Sequence, residues 1–276
     1  MSLRVMGQAA VTMNQLQNQM DMIGHNLANS QTAGYKSRQA EFSNMLSQQI
    51  TNMTDPENAR NRLTPDGIRI GTGARLGAMN HNLSLGSIQQ TGRDLDAVLL
   101  NEHQFFQVQV VENGEQEIRY TRDGSFYLQP VNENDVMLVT KDGHPVIGDN
   151  GPIQFAANFE SIHMTEEGQI IVKRGTESEE VGNLAVAEID NLRILEASGD
   201  NLFQLPDLAE IGVNVNDIVQ VVLGENVHIQ NQSLEMSNVS IQEQMTQLIN
   251  AQRSYQFNSR SITMADQMQG LINQIR

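Results

Sequence analysis

MGQAAVTMNQLQNQMDMIGHNLANSQTAGYK, residues 6–36, decides the architecture. Met6, Ala9, Met13, Leu16, Met20, Ile23 and Leu27 are alternately three and four residues apart, the a/d period of a coiled-coil seam. No proline interrupts the run. Asn29, Ser30, Thr32 and Gly34 then end it with turn chemistry, and a glycine suits the left-handed residue that closes a helix. The far end of the chain behaves the same way. Leu234, Ile241, Leu248, Tyr255 and Ile262 recur every seven residues, and Met245, Ala251, Ala265, Met268, Ile272 and Ile275 widen the stripe. Apart from Gly270, residues 234–276 hold no glycine or proline, enough for a helix of roughly 60 Å at 1.5 Å per residue. Ser240 and Glu243 fit a capping box at its start.

The faces beside these seams are unusual. Gln8, Asn14, Gln15, Gln17, Asn18 and Gln19 stand where a solvated helix carries Glu and Lys. One reading is a long antiparallel coiled coil within one monomer. The other is intermolecular: amide faces hydrogen-bond to neighbours without the desolvation penalty of an ion pair.

Between the helical ends the period changes from 3.6 to 2. Phe106, Val108 and Val110 alternate, as do Phe126 and Leu128, Met137 and Val139, Ile170 and Val172, Leu184 and Val186, and Val219, Val221 and Leu223. Asn113-Gly114, Asp123-Gly124, Asp142-Gly143, Asn150-Gly151 and Glu167-Gly168 punctuate them. Short alternating strands with such turns specify a β domain. The stretch 51–77 holds Pro56, Pro65, Asp66-Gly67, Gly71 and Gly73 with few apolar residues, which reads as a linker or projecting loop. The fold class is therefore α+β: long N- and C-terminal helices forming a coiled-coil-like pair, with an inserted all-β middle. The expected segments are 1–36 (N-terminal helix), 37–75 (extended linker), 76–233 (β domain) and 234–276 (C-terminal helix).

The charge supports that division. The chain carries −16 overall, yet residues 1–50 hold Arg4, Lys36 and Arg38 against Asp21 and Glu41. Residues 234–276 balance Arg253, Arg260 and Arg276 against Glu235, Glu243 and Asp266. The acidity thus sits in the middle. Such a chain is a poor binder of phosphate backbones. No apolar run is long enough for a membrane-spanning helix, and the first residues lack the apolar core of a cleavable signal. There is no cysteine, so thiolate metal sites and thiol nucleophiles are excluded.

Nothing in the pattern supports catalysis. His25, His81, His103, His144, His163 and His228 are scattered without helical zinc spacing. Asp94 and Asp96 share a strand face, but nothing nearby completes a calcium loop or a hydrolase pair. Gly71-Thr72-Gly73 lacks the lysine of a phosphate loop. The expectation is no enzyme, no metal and no cofactor.

Several motifs carry a resemblance. Leu27-Ala28-Asn29-Ser30-Gln31-Thr32-Ala33-Gly34-Tyr35-Lys36 resembles the N-terminal signature of the bacterial flagellar rod and hook axial proteins. Leu234-Glu235-Met236-Ser237-Asn238-Val239 and Ala251-Gln252-Arg253-Ser254-Tyr255-Gln256-Phe257-Asn258 are similar to that family's two C-terminal motifs. Gly86, Thr91-Gly92, Leu95-Asp96, Phe105-Phe106, Tyr120-Thr121-Arg122-Asp123-Gly124-Ser125-Phe126 and Asp200-Asn201-Leu202-Phe203 follow in the family's order. Two departures stand out. Asn101-Glu102-His103-Gln104 replaces a glycine-flanked approach to Phe105-Phe106, and Asn231-Gln232-Ser233 lacks a glycine usual before the L-E-x-S-N-V motif.

The resemblance implies a structural subunit of the flagellar basal-body rod. It would polymerise helically with itself through its terminal helices around an export channel and carry torque toward the hook. It would adjoin other rod and hook proteins and reach the cell envelope through the flagellar type III export apparatus, with no nucleic-acid partner and no membrane insertion. A hook or hook-associated protein of the same family is the alternative, ahead of a secreted coiled-coil adhesin; a wall hydrolase lacks its carboxylate pair. The chain length suits a rod protein better than a hook protein. Met13, Leu16, Met20, Ile23, Leu27, Ile241, Met245, Leu248, Tyr255 and Ile262 are expected to be the assembly positions. Asn29, Thr32, Gly34, Tyr35, Lys36, Glu235, Ser237 and Asn238 are expected to fix a junction between helices and outer domain. Gly34→Val is expected to harm assembly more than the β domain.

Overall fold

The computed structural model describes residues 2–44, 47–50, 68–71, 74–112, 114–199, 201–206, 218–222 and 227–274. It is α+β: an N-terminal helix, α1 (Ser2–Ala28), a strand-rich middle, and a C-terminal helix, α2 (Ile241–Gln274). The chain divides into two compact units. One comprises Met1–Leu27, Arg38–Asn80 and Ile241–Arg276; the other comprises Ala28–Ser37 and His81–Ser240.

In the helical unit, α1 covers the expected stripe. Ala9, Leu16 and Ile23 are buried, with Met22 and Asn26 beside them, while Met13, Met20 and Leu27 are half-buried. Asn26 is wholly buried and acts as a piece of strand edge. Its Oδ1 accepts from Arg38 N at 2.9 Å, its Nδ2 donates to Arg38 O at 2.8 Å, and the same Nδ2 reaches Gln244 Oε1 at 3.2 Å. Arg38 opens the strand Arg38–Asn44, which pairs with Ala74–His81; Ser47–Ile50 pairs antiparallel with Ile68–Gly71. The remainder of the expected linker, 45–46, 51–67 and 72–73, lies outside the described residues.

α2 departs from its sequence reading. The helix begins at Ile241, directly after Ser240, and Leu234 lies in the strand Ser233–Glu235. Its covered stripe runs Gln244, Leu248, Ala251, Tyr255, Asn258, Ile262, Ala265, Gln269, alternating four and three residues. Gln244, Ala251 and Ala265 are the buried members, and Leu248, Tyr255 and Ile262 are half-buried. Ile241 and Met245 are 46% and 44% exposed. The period of seven was legible, but its centre was not. Alanine and glutamine fill the buried positions of the stripe, whereas hydropathy marks only the large apolar residues.

The strand unit is organised by one antiparallel six-stranded sheet: Glu196–Ala197, Leu202–Gln204, Glu115–Thr121, Gln104–Glu112, Val186–Ile189 and Val219–Val222, in spatial order. Both of its faces are covered. Phe106, Val108 and Val110 point into a large core with Leu138, Ile170, Val172 and Leu184; Phe105, Tyr120, Ala187, Ile189 and Phe203 form a second core. Successive strand residues face opposite ways, so adjacent Phe105 and Phe106 are each buried in a different core. Two three-stranded antiparallel sheets close the large core, one around Asp135–Thr140 and one around Gln169–Arg174. Asp142-Gly143, Asn150-Gly151 and Glu167-Gly168 each place their glycine at positive φ, as their dipeptides foretold. Asn113 and Leu223 lie outside the described residues.

Phe106 packs edge-on against Phe126, with ring centroids 5.1 Å apart and no exposed surface on either. Phe106→Ala is expected to destabilise the strand unit by about 3–5 kcal/mol, read as a lowered urea midpoint of the full chain with the α-helical circular dichroism retained.

Candidate functional site: the buried motif junction

The motifs at the two ends of the sequence meet in the strand unit. The segment after α1, residues 29–37, lies against the strand and turn before α2, residues 233–239. Asn29 and Thr32 form the turn: Thr32 N donates to Asn29 O, Thr32 Oγ1 to Asn29 Oδ1 at 3.2 Å, and Tyr35 N to Thr32 O. Gly34 follows at φ +69°, and its N–H reaches Glu235 O at 2.8 Å. A Cβ on Gly34 would stand 2.5 Å from the backbone nitrogen of Asp123. Glycine is required twice over, for the dihedral and for the space.

At the centre lies a charged triad with almost no solvent contact. The side chains of Lys36 and Glu235 are each 1% exposed, and that of Arg122 is 0%. Glu235 Oε1 accepts from Lys36 Nζ at 2.5 Å and from the Gly86 N–H at 2.8 Å. Its Oε2 accepts from Arg122 Nε and Nη2, both at 3.0 Å. Lys36 Nζ also donates to Ser84 O at 2.7 Å. The remaining Arg122 donors reach the carbonyls of Asn101 (2.6 Å), Gln104 (2.5 Å) and Leu99 (3.2 Å). Every guanidinium N–H thus has an acceptor, the condition under which burial of arginine is tolerable.

The triad holds two cations and one anion. Burial lowers the Lys36 pKa below the usual lysine value; Glu235 opposes that shift and Arg122 adds to it. Burial lowers the Arg122 pKa as well, again against the pull of Glu235. Exposed Glu102 stabilises both cations from outside.

A shell of amides surrounds the triad. Asn238 Oδ1 accepts from Ser37 N at 2.8 Å, while its Nδ2 donates to Asn82 O (2.8 Å) and Ser84 O (3.1 Å). Asn201, at φ +60°, donates from Nδ2 to Ala33 O at 3.1 Å. Ser237 is buried, and its Oγ accepts from Val239 N. Tyr35 is buried beside them. Gly86 lies so close to the facing strand that a Cβ would stand 1.9 Å from Met236 O.

All eight expected junction residues therefore fall in one neighbourhood. Arg122, Gly86 and Asn201 join them, although the sequence reading quoted these only as motif letters. The two missing glycines are also explained locally. Asn101 shapes its turn with its own side chain, accepting His103 N at Oδ1 and Gln104 N at its carbonyl. Gln232 takes the left-handed dihedral itself, at φ +52°. Its carbonyl receives Thr91 N and Gly92 N, and its Nε2 donates to Asp94 Oδ1 at 2.7 Å. Asp96 is occupied by Thr91 Oγ1 at 2.7 Å and Arg93 at 3.2 Å. Among the described residues no group of three or more His, Cys, Asp or Glu is placed to hold a metal.

The assembly positions do not gather in this way. The helical unit carries them along α1 and α2, with Ile241 and Met245 exposed in the single chain.

Three family models match parts of the chain: "Flagella basal body rod protein" over residues 8–36, "Flagellar hook protein FlgE/F/G D1 domain" over 100–172, and "Flagellar basal body rod FlgEFG protein C-terminal" over 230–275. Among curated proteins, the chain is 41% identical over 279 residues to the flagellar hook-basal body complex protein FlhP of Bacillus subtilis, covering 99% of this chain and all of that one. It is 32% identical to the flagellar basal-body rod proteins FlgG of Agrobacterium fabrum, over 98% of both chains, and of Borreliella burgdorferi, over 99% of both.

The triad sets the order of two substitutions. Glu235→Gln leaves two buried cations facing a neutral amide and is expected to cost about 3–5 kcal/mol. Lys36→Met leaves a neutral Arg122–Glu235 pair and is expected to cost about 1–3 kcal/mol; urea midpoints of the two variants check the order. The expectation for Gly34→Val needs correction, because Gly34 belongs to the same compact unit as the strands and abuts Asp123. Valine there is expected to lower the melting temperature of the strand unit and to impair assembly together, as differential scanning calorimetry beside a pelleting assay will show.

Proposed function

This chain belongs to the flagellar basal-body rod and hook family and is a structural subunit of the basal-body rod, and we infer from its architecture how it serves there. The helical unit packs innermost, with α1 and α2 as a coiled-coil-like pair, and copies stack head to tail into a hollow tube. Such contacts are heterologous and do not close on themselves. The acidic strand unit faces outward. In this reading α1 and α2 are the inner helices and the strand unit is the outer domain, and the boundaries expected at 36, 75 and 233 shift to those of the two compact units. Alternating seven-residue stripes on both helices, and the Asn26–Gln244 hydrogen bond at 3.2 Å, support the pairing. The junction residues and the assembly positions named from the sequence are the positions that carry this design.

The observation that bears most weight is the buried junction. Motifs some 200 residues apart in sequence converge on one carboxylate. That arrangement holds the two helix-proximal segments together so that torque passes through a stiff base. We further propose that the chain is not an enzyme, that it enters the envelope through the flagellar type III export apparatus, and that it adjoins other rod and hook proteins. Among the described residues no helix is long and apolar enough to cross a membrane.

Cryo-electron microscopy of polymer grown from the purified chain tests this reading. A hollow tube with the terminal helices lining its inside is expected. A polymer with the strand unit innermost, or turnover of peptidoglycan in a zymogram, is the contrary result.

A further inference from the structure

α2 carries a second stripe, to one side of the covered one. Phe257, Met264 and Leu271 recur every seven residues and are 70%, 54% and 60% exposed; Met268, also exposed, flanks them. At 100° per residue Met264 stands about 100° round from buried Ala265, outside the covered stripe. Arg253 and Arg260 interleave with them, both exposed; Glu243, two heptads before Phe257, continues the line at the start of the helix, and no carboxylate stands on it between Arg253 and Leu271.

The outward face of α1 has the converse character. Gly7, Ala10, Asn14, Asp21 and Ala28 are exposed along one line. A Cβ added at Gly7 would meet nothing within 4 Å, so that stretch is open. Asp21 is the acid of this line, and no lysine or arginine stands between residues 6 and 28. One helix thus presents bulky side chains with cations, the other small side chains with an anion. The spacings also agree. Ala10 and Asp21 are separated by the same number of residues as Arg253 and Met264, about 16 Å along a helix. An antiparallel approach therefore sets Met264 over Ala10 and Arg253 against Asp21 at the same time.

We propose that the Phe257–Met264–Leu271 stripe of one copy docks on the Gly7–Ala10–Asp21 face of α1 in a second copy. This rests on the rod-subunit reading and names the contact that reading requires. Each copy offers a knob face on one helix and a hole face on the other, so the contact is heterologous and propagates.

The chain has no cysteine, so single thiols report cleanly. Full-length Ala10→Cys and Met264→Cys proteins, mixed under assembling conditions with a short bis-maleimide, are expected to give a covalent dimer that neither gives alone. Met264→Glu combined with Leu271→Glu is expected to raise the critical concentration for sedimentable polymer about tenfold or more, with the urea midpoint of the strand unit unchanged. Cross-linking only between two Met264→Cys copies, or polymer formation indifferent to the double substitution, overturns this contact and leaves the rod reading standing. Wild-type protein that stays monomeric at every concentration overturns the rod reading and the contact with it.

Discussion

The strand unit depends on one carboxylate. Glu235 neutralises Lys36 and Arg122 where neither has access to water, and it accepts the Gly86 N–H in the same place. A buried ion pair is a weak source of net stability, since desolvation offsets most of the attraction. It is a strong source of uniqueness. Two cations converge on Glu235 from distant parts of the chain, and the carbonyls of Ser84, Leu99, Asn101 and Gln104 take their remaining donors. The shell of amides from Asn82, Asn201 and Asn238 extends that specification to the backbone on both sides.

The helical unit works by different physics. Its buried positions are small, apolar or amide, and Asn26 with Gln244 supplies the polar contact. That hydrogen bond, at 3.2 Å, links the two helices through buried amides. Asn26 does more, since it also grips both backbone groups of Arg38. The strand beyond the Asn29–Gly34 turn is thereby tied back to α1 by a side chain.

Much of this was legible in the sequence. Alternation located the strands through Phe106, Val108 and Val110, the dipeptide turns at Gly143, Gly151 and Gly168 fell where glycine takes positive φ, and the seven-residue period marked both helices; Gly124 does not take positive φ and is instead required by its close approach to Ala97 O. The letters around Gly34 and Glu235 singled out stretches that the structure packs together, with the Gly34 N–H on the Glu235 carbonyl. What stayed hidden was hidden for physical reasons. The seam of α2 is centred on alanine and glutamine, which no hydropathy pattern marks. Arg122 reads as a surface cation until three carbonyls and a carboxylate are found around it. Gln232 reads as a loop residue, and only its dihedral shows that it stands where a glycine would be easier.

The charged triad also fixes an order of events in synthesis. Lys36 is made 199 residues before Glu235, and Arg122 113 residues before it. While the ribosome is still short of position 235, both cations face burial uncompensated, at a cost that no partial strand arrangement offsets. The triad is therefore complete only once residue 235 has been made, late in synthesis of the chain.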